Sequence, residues 1–187
     1  EVVSLQDFVK NIKEGKHSKI INDLRSKITS DFFTDKQHKQ DWKKNNLPCY
    51  YPAVRLKNSI KVSNPEKDIV SLSRIFHFDL DNLPEGTYQS LKHFIIENFD
   101  PCFVIQSPSG DLKFGIFGDL EASDFDLYKT SYKILIERFN KDLSQFSVQL
   151  DNATCATNSG LYATFDLEAF CDLDAEIHLV RQETIND

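Results

Sequence analysis

The sequence contains no methionine, a single tryptophan, six glycines and six prolines in 187 residues. A chain that begins with Glu and carries no Met reads as a piece excised from something longer. There is no internal repeat and no low-complexity segment. Cys49, Cys102, Cys155 and Cys171 stand far apart with no C-x-x-C pair, which excludes the usual zinc spacings and a disulfide framework and fits a reducing cytoplasm. No apolar run approaches the roughly 20 residues of a membrane helix, so no membrane partner is expected. No charged start followed by an apolar run marks a secretory signal.

Charge is present but unevenly placed. The net charge is -7, yet residues 1–67 hold 14 Lys and Arg against 8 Asp and Glu, and the remainder holds 8 against 21. A basic first third beside an acidic body suits a metal-dependent enzyme acting on a polyanion, and equally suits a solvated lysine-rich helix pair. The length fits one compact unit, read as a basic helical and extended appendage (1–68) followed by a core (69–187).

The most informative stretch is RIFHFDLD, residues 74–81. Strand alternation puts Phe76, Phe78 and Leu80 on a core face and Ile75, His77, Asp79 and Asp81 on the other. Asp79 and Asp81 lie about 7 Å apart along such a strand, from ~3.4 Å per residue. Two hard oxygen ligands at a strand end are a candidate site for Mg²⁺ or Mn²⁺, as phosphoryl or nucleotidyl transfer uses. An Asp-x-Asp that merely solvates a turn is the plainer alternative.

Helical spacing predicts helices over 5–14 and 18–28, and a helix or surface segment over 35–44. Residues 47–56, with Tyr50 and Tyr51, read as extended, and 58–68 as turn-rich. After the strand at 74–80, Pro84 and Glu85 open a helix to about Phe99. CFVIQ (102–106) is a strand, SPSGD (107–111) a turn, and LKFGIF (112–117) the returning strand. A capped helix runs from 123–126 to about Lys141, FSVQL (146–150) is a closing strand, LYATF (161–165) an edge strand, and 177–180 an apolar patch. The fold class is therefore α+β, a β-α-β-β-α-β core of the RRM or ferredoxin-like palm kind, an antiparallel sheet with both helices on one face. In that topology the turn after the second strand falls at the sheet end carrying Asp79 and Asp81. Ser107, Ser109 and Gly110 there offer hydroxyl and backbone donors to a phosphate, with Lys113 adding charge. Asp151 is the third ligand candidate and Asp166 the fallback. His77 faces the carboxylates; Trp42, in the basic segment, reads as packing before base stacking.

FDLDNLP, SPSGDLKFGIF, QLDNAT and YATFD in this order, after the lead-in VSLQDFVKNIKEGKHSKIINDLRS and NNLPCYYPA, resemble the archaeo-eukaryotic primase superfamily, and within it the VirE N-terminal type of primase-polymerase-like domain. The resemblance covers nearly the whole chain through short motifs. It implies template-directed nucleotide addition with two divalent metals: Asp79, Asp81 and Asp151 as catalytic metal ligands, and Ser107, Ser109, Gly110 and Lys113 on the nucleotide. Nucleoside triphosphates, a single-stranded or primed nucleic acid and a fused helicase or other replication domain are the implied partners. Lys36, Lys39, Lys43 and Lys44 are candidates for the nucleic-acid backbone. Two departures remove positive charge from the nucleotide site. Asp111 stands where the family's turn has a basic residue and a glycine, and Ser159 and Thr164 fall where the family has an Arg and a Ser. A degenerate nucleotide- or single-strand-binding module is accordingly the second expectation. An RRM-like RNA reader is the third, and strand parity opposes it because Phe76 falls on the core face.

Overall fold

The computed structural model describes residues 2–57, 69–150, 156–157, 159–181 and 184. The centre is a five-stranded sheet. β4 (Ile75–Leu80), β6 (Leu112–Gly118), β5 (Phe103–Gln106) and β8 (Phe170–Cys171) are neighbours in that order, all antiparallel, and β9 (Ile177–His178) adds parallel to the end of β6. The α+β class stands, and so does the β-α-β-β-α order: α4 (Tyr88–Asn98) joins β4 to the parallel β5, and α5 (Phe125–Leu143) follows the β5–β6 hairpin.

Parity decides which residues are core. Phe76, Phe78 and Leu80 of β4, Val104 of β5 and Phe114 and Ile116 of β6 point to one face and are fully buried. Leu91, Ile95 and Phe99 from α4 and its end, and Tyr132, Leu135 and Phe139 from α5, close over them. Phe78 stacks on Phe114 and Tyr132 with ring centroids 5.0 and 4.9 Å apart, the offset packing that adds to simple burial.

The opposite face is covered as well. α1 (Leu5–Lys13) is capped by Ser4, whose hydroxyl accepts from the Asp7 amide at 3.0 Å, and it turns Phe8, Val9 and Ile12 inward. These pack with Phe103, Ile105 and Leu161 into a second core. The N-terminal stretch is thus a structural layer, and the sheet is enclosed between it and the α4–α5 pair. α2 (Ser18–Thr29) and α3 (Lys36–Asn46) share a third, smaller cluster in which Ile21, Leu24 and Leu47 meet Phe33 and Trp42, so Trp42 packs as the sequence suggests. Two short ribbons complete the described chain: β1 (Cys49–Tyr50) with β7 (Leu161–Tyr162), and β2 (Val54–Leu56) with β3 (Ile69–Leu72).

The closing strand expected at 146–150 does not form. Ser144–Phe146 is a 3-10 turn, Ser147 takes a left-handed φ of 57°, and Leu150 is held by a side chain. Asn140 Oδ1 accepts from the Leu150 amide at 2.7 Å while Asn140 Nδ2 donates to its carbonyl at 3.1 Å. The amide of α5 supplies the pair of bonds that a neighbouring strand would have made, and Val148 and Leu150 remain buried. Alternation in FSVQL reported burial correctly and pairing incorrectly. The helix expected from Pro84 starts instead at Tyr88, after a turn in which the Thr87 amide donates to the Pro84 carbonyl at 3.1 Å.

One tight approach is testable. Gly115 pairs with His77 across the sheet and lies under the Phe103 ring, where an added Cβ would sit 2.2 Å from Cε1. Gly115→Ala should destabilise by about 2–3 kcal/mol, as overpacking of a close-packed core does. A urea melt matching wild type would show that the Phe103 ring can move aside.

Candidate active-site cleft

Register sets the geometry. Leu80 of β4 and Gln106 of β5 both pair with Leu112 of β6, so the end of the carboxylate strand and the 107–111 turn meet at one end of the sheet, as the topology predicts. Asp79 lies opposite Lys113 and forms a largely buried ion pair with it through Oδ2. Its other oxygen, Oδ1, is buried and has no hydrogen-bond partner among the described residues. Asp81 follows the strand and is exposed, and Asn82 takes a left-handed φ of 58° that turns the chain away.

The turn is braced from within. The Ser107 amide donates to the Asp111 carbonyl at 2.6 Å, the Gly110 amide to the Ser107 carbonyl at 3.0 Å, and the Asp111 amide to Ser107 Oγ at 3.1 Å. Gly110, at φ 105°, occupies backbone space that side chains rarely enter. Asp111 has a structural partner as well: its Oδ1 accepts from the Asn82 amide at 3.1 Å, tying the turn to the end of the carboxylate strand. Ser109 Oγ is buried without a partner among the described residues.

Arg25 was not singled out by the sequence. From α2 it donates Nη2 to the carbonyls of Ser107 (3.3 Å) and Phe165 (3.1 Å) and Nε to that of Pro108 (3.4 Å). Only an arginine fork reaches three carbonyls in this way. One arginine in a lysine-rich stretch is a weak signal, so spacing alone would not have found it. Arg25→Gln should cost about 2–3 kcal/mol, in line with charge-assisted bonds to buried carbonyls, and should raise amide exchange across 107–111. Unchanged protection of that turn would show that its internal bonds suffice.

A cleft of about 380 Å³ opens in front of this turn. One wall is α3, contributing Lys36, Lys39 and Lys43 with Asp35 at its cap; the other is Asp81, Asn82, Ser109 and Asp111. Ile28, Asp31 and Phe33, from the end of α2 and the loop after it, close the side. The helix puts the lysines on one side because positions 36, 39 and 43 recur at about one turn and then another. Lys43 is 9% exposed and makes no ion pair among the described residues. Burial, with Lys39 and Lys113 nearby, pulls its ammonium down to about 8, against the opposing pull of Asp81 and Asp111. Lys44 is exposed and does not line the cleft.

The remaining candidates divide. Asp166 is engaged by the backbone: Oδ2 accepts from the Gln106 amide at 2.9 Å and Oδ1 from the Glu168 amide at 2.9 Å. Thr164 Oγ1 donates to the Gln106 carbonyl at 2.8 Å, so this pair latches its segment to β5. Asp151 lies outside the described residues. His77 shares the face of Asp79, but it is fully buried and neither ring nitrogen has a partner among the described residues. Phe76 is also fully buried, so it offers no ring for base stacking of the RRM kind.

The donor set suits a divalent cation in one respect: Asp79 Oδ1 is a buried carboxylate oxygen with no donor among the described residues, and Asp81 adds a second, accessible carboxylate two residues on. Among the described residues no three His, Cys, Asp or Glu side chains converge. No helix among the described residues is long and apolar enough to cross a membrane. No family model, no curated protein and no solved structure matches the chain.

Proposed function

We propose that the chain is a primase-polymerase-like nucleotidyltransferase domain of a replication protein, adding nucleotides on a nucleic-acid template with Mg²⁺ or Mn²⁺. The observation that carries the reading is the cleft, which lysines from α3 line together with Asp81, Ser109 and Asp111, at the end of the strand where Asp79 keeps a buried, unpartnered Oδ1 among the described residues. The order of the FDLDNLP, SPSGD and YATFD motifs supports it independently.

The reaction joins the 3'-oxygen of a primer, or of a first nucleotide, to the α-phosphorus of a nucleoside triphosphate. The bond to the bridging oxygen breaks and pyrophosphate leaves, so the chemistry is mainly positioning and charge neutralisation. Asp79 and Asp81, joined by Asp151, would hold the metals, which when bound activate the attacking hydroxyl and neutralise the leaving phosphates. Lys113 fixes the Asp79 carboxylate through Oδ2 and leaves Oδ1 directed elsewhere. Ser107 holds the shape of the turn, and Ser109 and Gly110 present it to the triphosphate. The outer lysines of α3, Lys36 and Lys44, are available to a nucleic-acid backbone, an attraction that salt should weaken.

A second reading is favoured by two particular groups. Lys113 is already paired with Asp79, and Asp111 sets a negative charge in the turn, as in a degenerate domain that binds nucleotide or single strands without catalysis. The two separate in one assay: incorporation of labelled nucleotide on single-stranded and primed templates with Mg²⁺ or Mn²⁺. Extended product is expected. A folded chain that still binds single strands yet makes no product with either metal would refute the transferase and leave the binding module.

A further inference from the structure

We infer that the phosphate tail of the nucleotide is held by Lys43 of α3 together with Ser109, and that it enters the cleft only as its divalent-metal chelate. The inference rests on the nucleotidyltransferase reading of the site and names the side chains that take its polyphosphate.

Three polar groups at this end of the sheet have no protein partner among the described residues. They are the ammonium of Lys43, a residue nine-tenths buried in the cleft wall, Ser109 Oγ on the turn that lines the same cleft, and Asp79 Oδ1. An unpaired ammonium in the cleft and a buried, unpartnered hydroxyl on the turn that lines it both suit an anion, and leaving the hydroxyl unmatched is costly. The turn itself cannot provide the charge, because Asp111 stands in it and Lys113 is spent on Asp79. Lys43 reaches the same space from another element. Asp81, Asp111 and Lys113 all lie close enough to act on its charge.

The balance of charge specifies the form of the ligand. The cleft is lined by three lysines and four aspartates. A bare polyphosphate would meet Asp81 and Asp111 head on, whereas a chelated one presents cations to those carboxylates and oxygens to Lys43 and Ser109. Phosphate binding here is therefore metal-dependent, unlike that of a purely basic patch.

Isothermal titration of the whole chain with inorganic tripolyphosphate, with Mg²⁺ or with EDTA, tests this. Binding is expected with Mg²⁺ and not with EDTA. Lys43→Gln should weaken it by roughly tenfold or more, the scale of one charge-assisted contact, while Lys43→Arg retains it. Ser109→Ala, a small change outside the helix, should weaken it several-fold and serves if Lys43→Gln fails to fold. Equal binding in EDTA, or unchanged binding in Lys43→Gln or Ser109→Ala, overturns the inference. The transferase and the subsite fail separately. Metal-dependent tripolyphosphate binding through Lys43 without incorporation keeps the subsite and removes the transferase. Incorporation with an unaltered KM for nucleotide in Lys43→Gln keeps the transferase and removes the subsite.

Discussion

Nucleotide incorporation should fall by roughly three orders of magnitude when Asp79 and Asp81 are both changed to Ala, since the metal-borne charge stabilisation they are proposed to anchor amounts to several kcal/mol. The two carboxylates are not equivalent. Asp79 is largely buried against Lys113, so Asp79→Ala leaves that ammonium without its counter-charge and should also lower stability. Asp81 is exposed and makes no ion pair among the described residues, so Asp81→Asn removes the proposed metal ligand with the fold intact. The informative comparison is thus a melt and an incorporation assay on Asp81→Asn beside the double variant. Loss of product at wild-type stability assigns the effect to chemistry. Full activity in a folded Asp81→Asn chain would take Asp81 out of the catalytic site and, with it, the metal reading of the strand end.

Legibility from sequence followed the range of the interaction. Alternation in RIFHFDLD correctly sorted Phe76, Phe78 and Leu80 into the core, because a strand's side-chain period is a local property. The hairpin around SPSGD, and its proximity to Asp79 and Asp81, followed from topology. What failed depended on partners far along the chain. FSVQL carries a strand's alternation, yet its Leu150 bonds the Asn140 amide in place of another strand, and no local pattern announces that exchange. The sheet face away from α4 and α5 is buried by Phe8, Val9 and Ile12 of α1, a stretch read as part of an appendage. The same distance hid the cleft: lysines 36, 39 and 43 read as a basic helix, and only the packing of α2 and α3 beside the turn sets them across from Asp81 and Asp111. Asp111, read as a simple loss of positive charge, also holds Asn82.

Acid should unfold this protein through His77, and the loss should be visible well above the range where carboxylates titrate. The imidazole sits on β4 between Ile75 and Asp79, opposite Gly115, fully buried and with no hydrogen-bond partner for either nitrogen among the described residues. Burial first, and then the nearby Lys113 ammonium, depress its pKa from 6.5 to about 3. The unfolded chain binds a proton near pH 6.5 that the folded chain refuses, so protonation favours unfolding. Stability is complete above the unfolded value and is lost as pH falls towards the folded one, at up to about 1.4 kcal/mol per pH unit. Urea melts of wild type and His77→Leu between pH 4 and pH 8 isolate this contribution, since every other titrating group is common to both. The two should be similar at pH 8, where the variant exchanges an unpartnered ring for an apolar side chain of comparable size. Below pH 6.5 they should diverge, wild type weakening more steeply with each unit. Parallel curves down to pH 4 would mean that His77 takes up its proton in the folded state, with the Asp79 carboxylate two residues away as the group able to stabilise it.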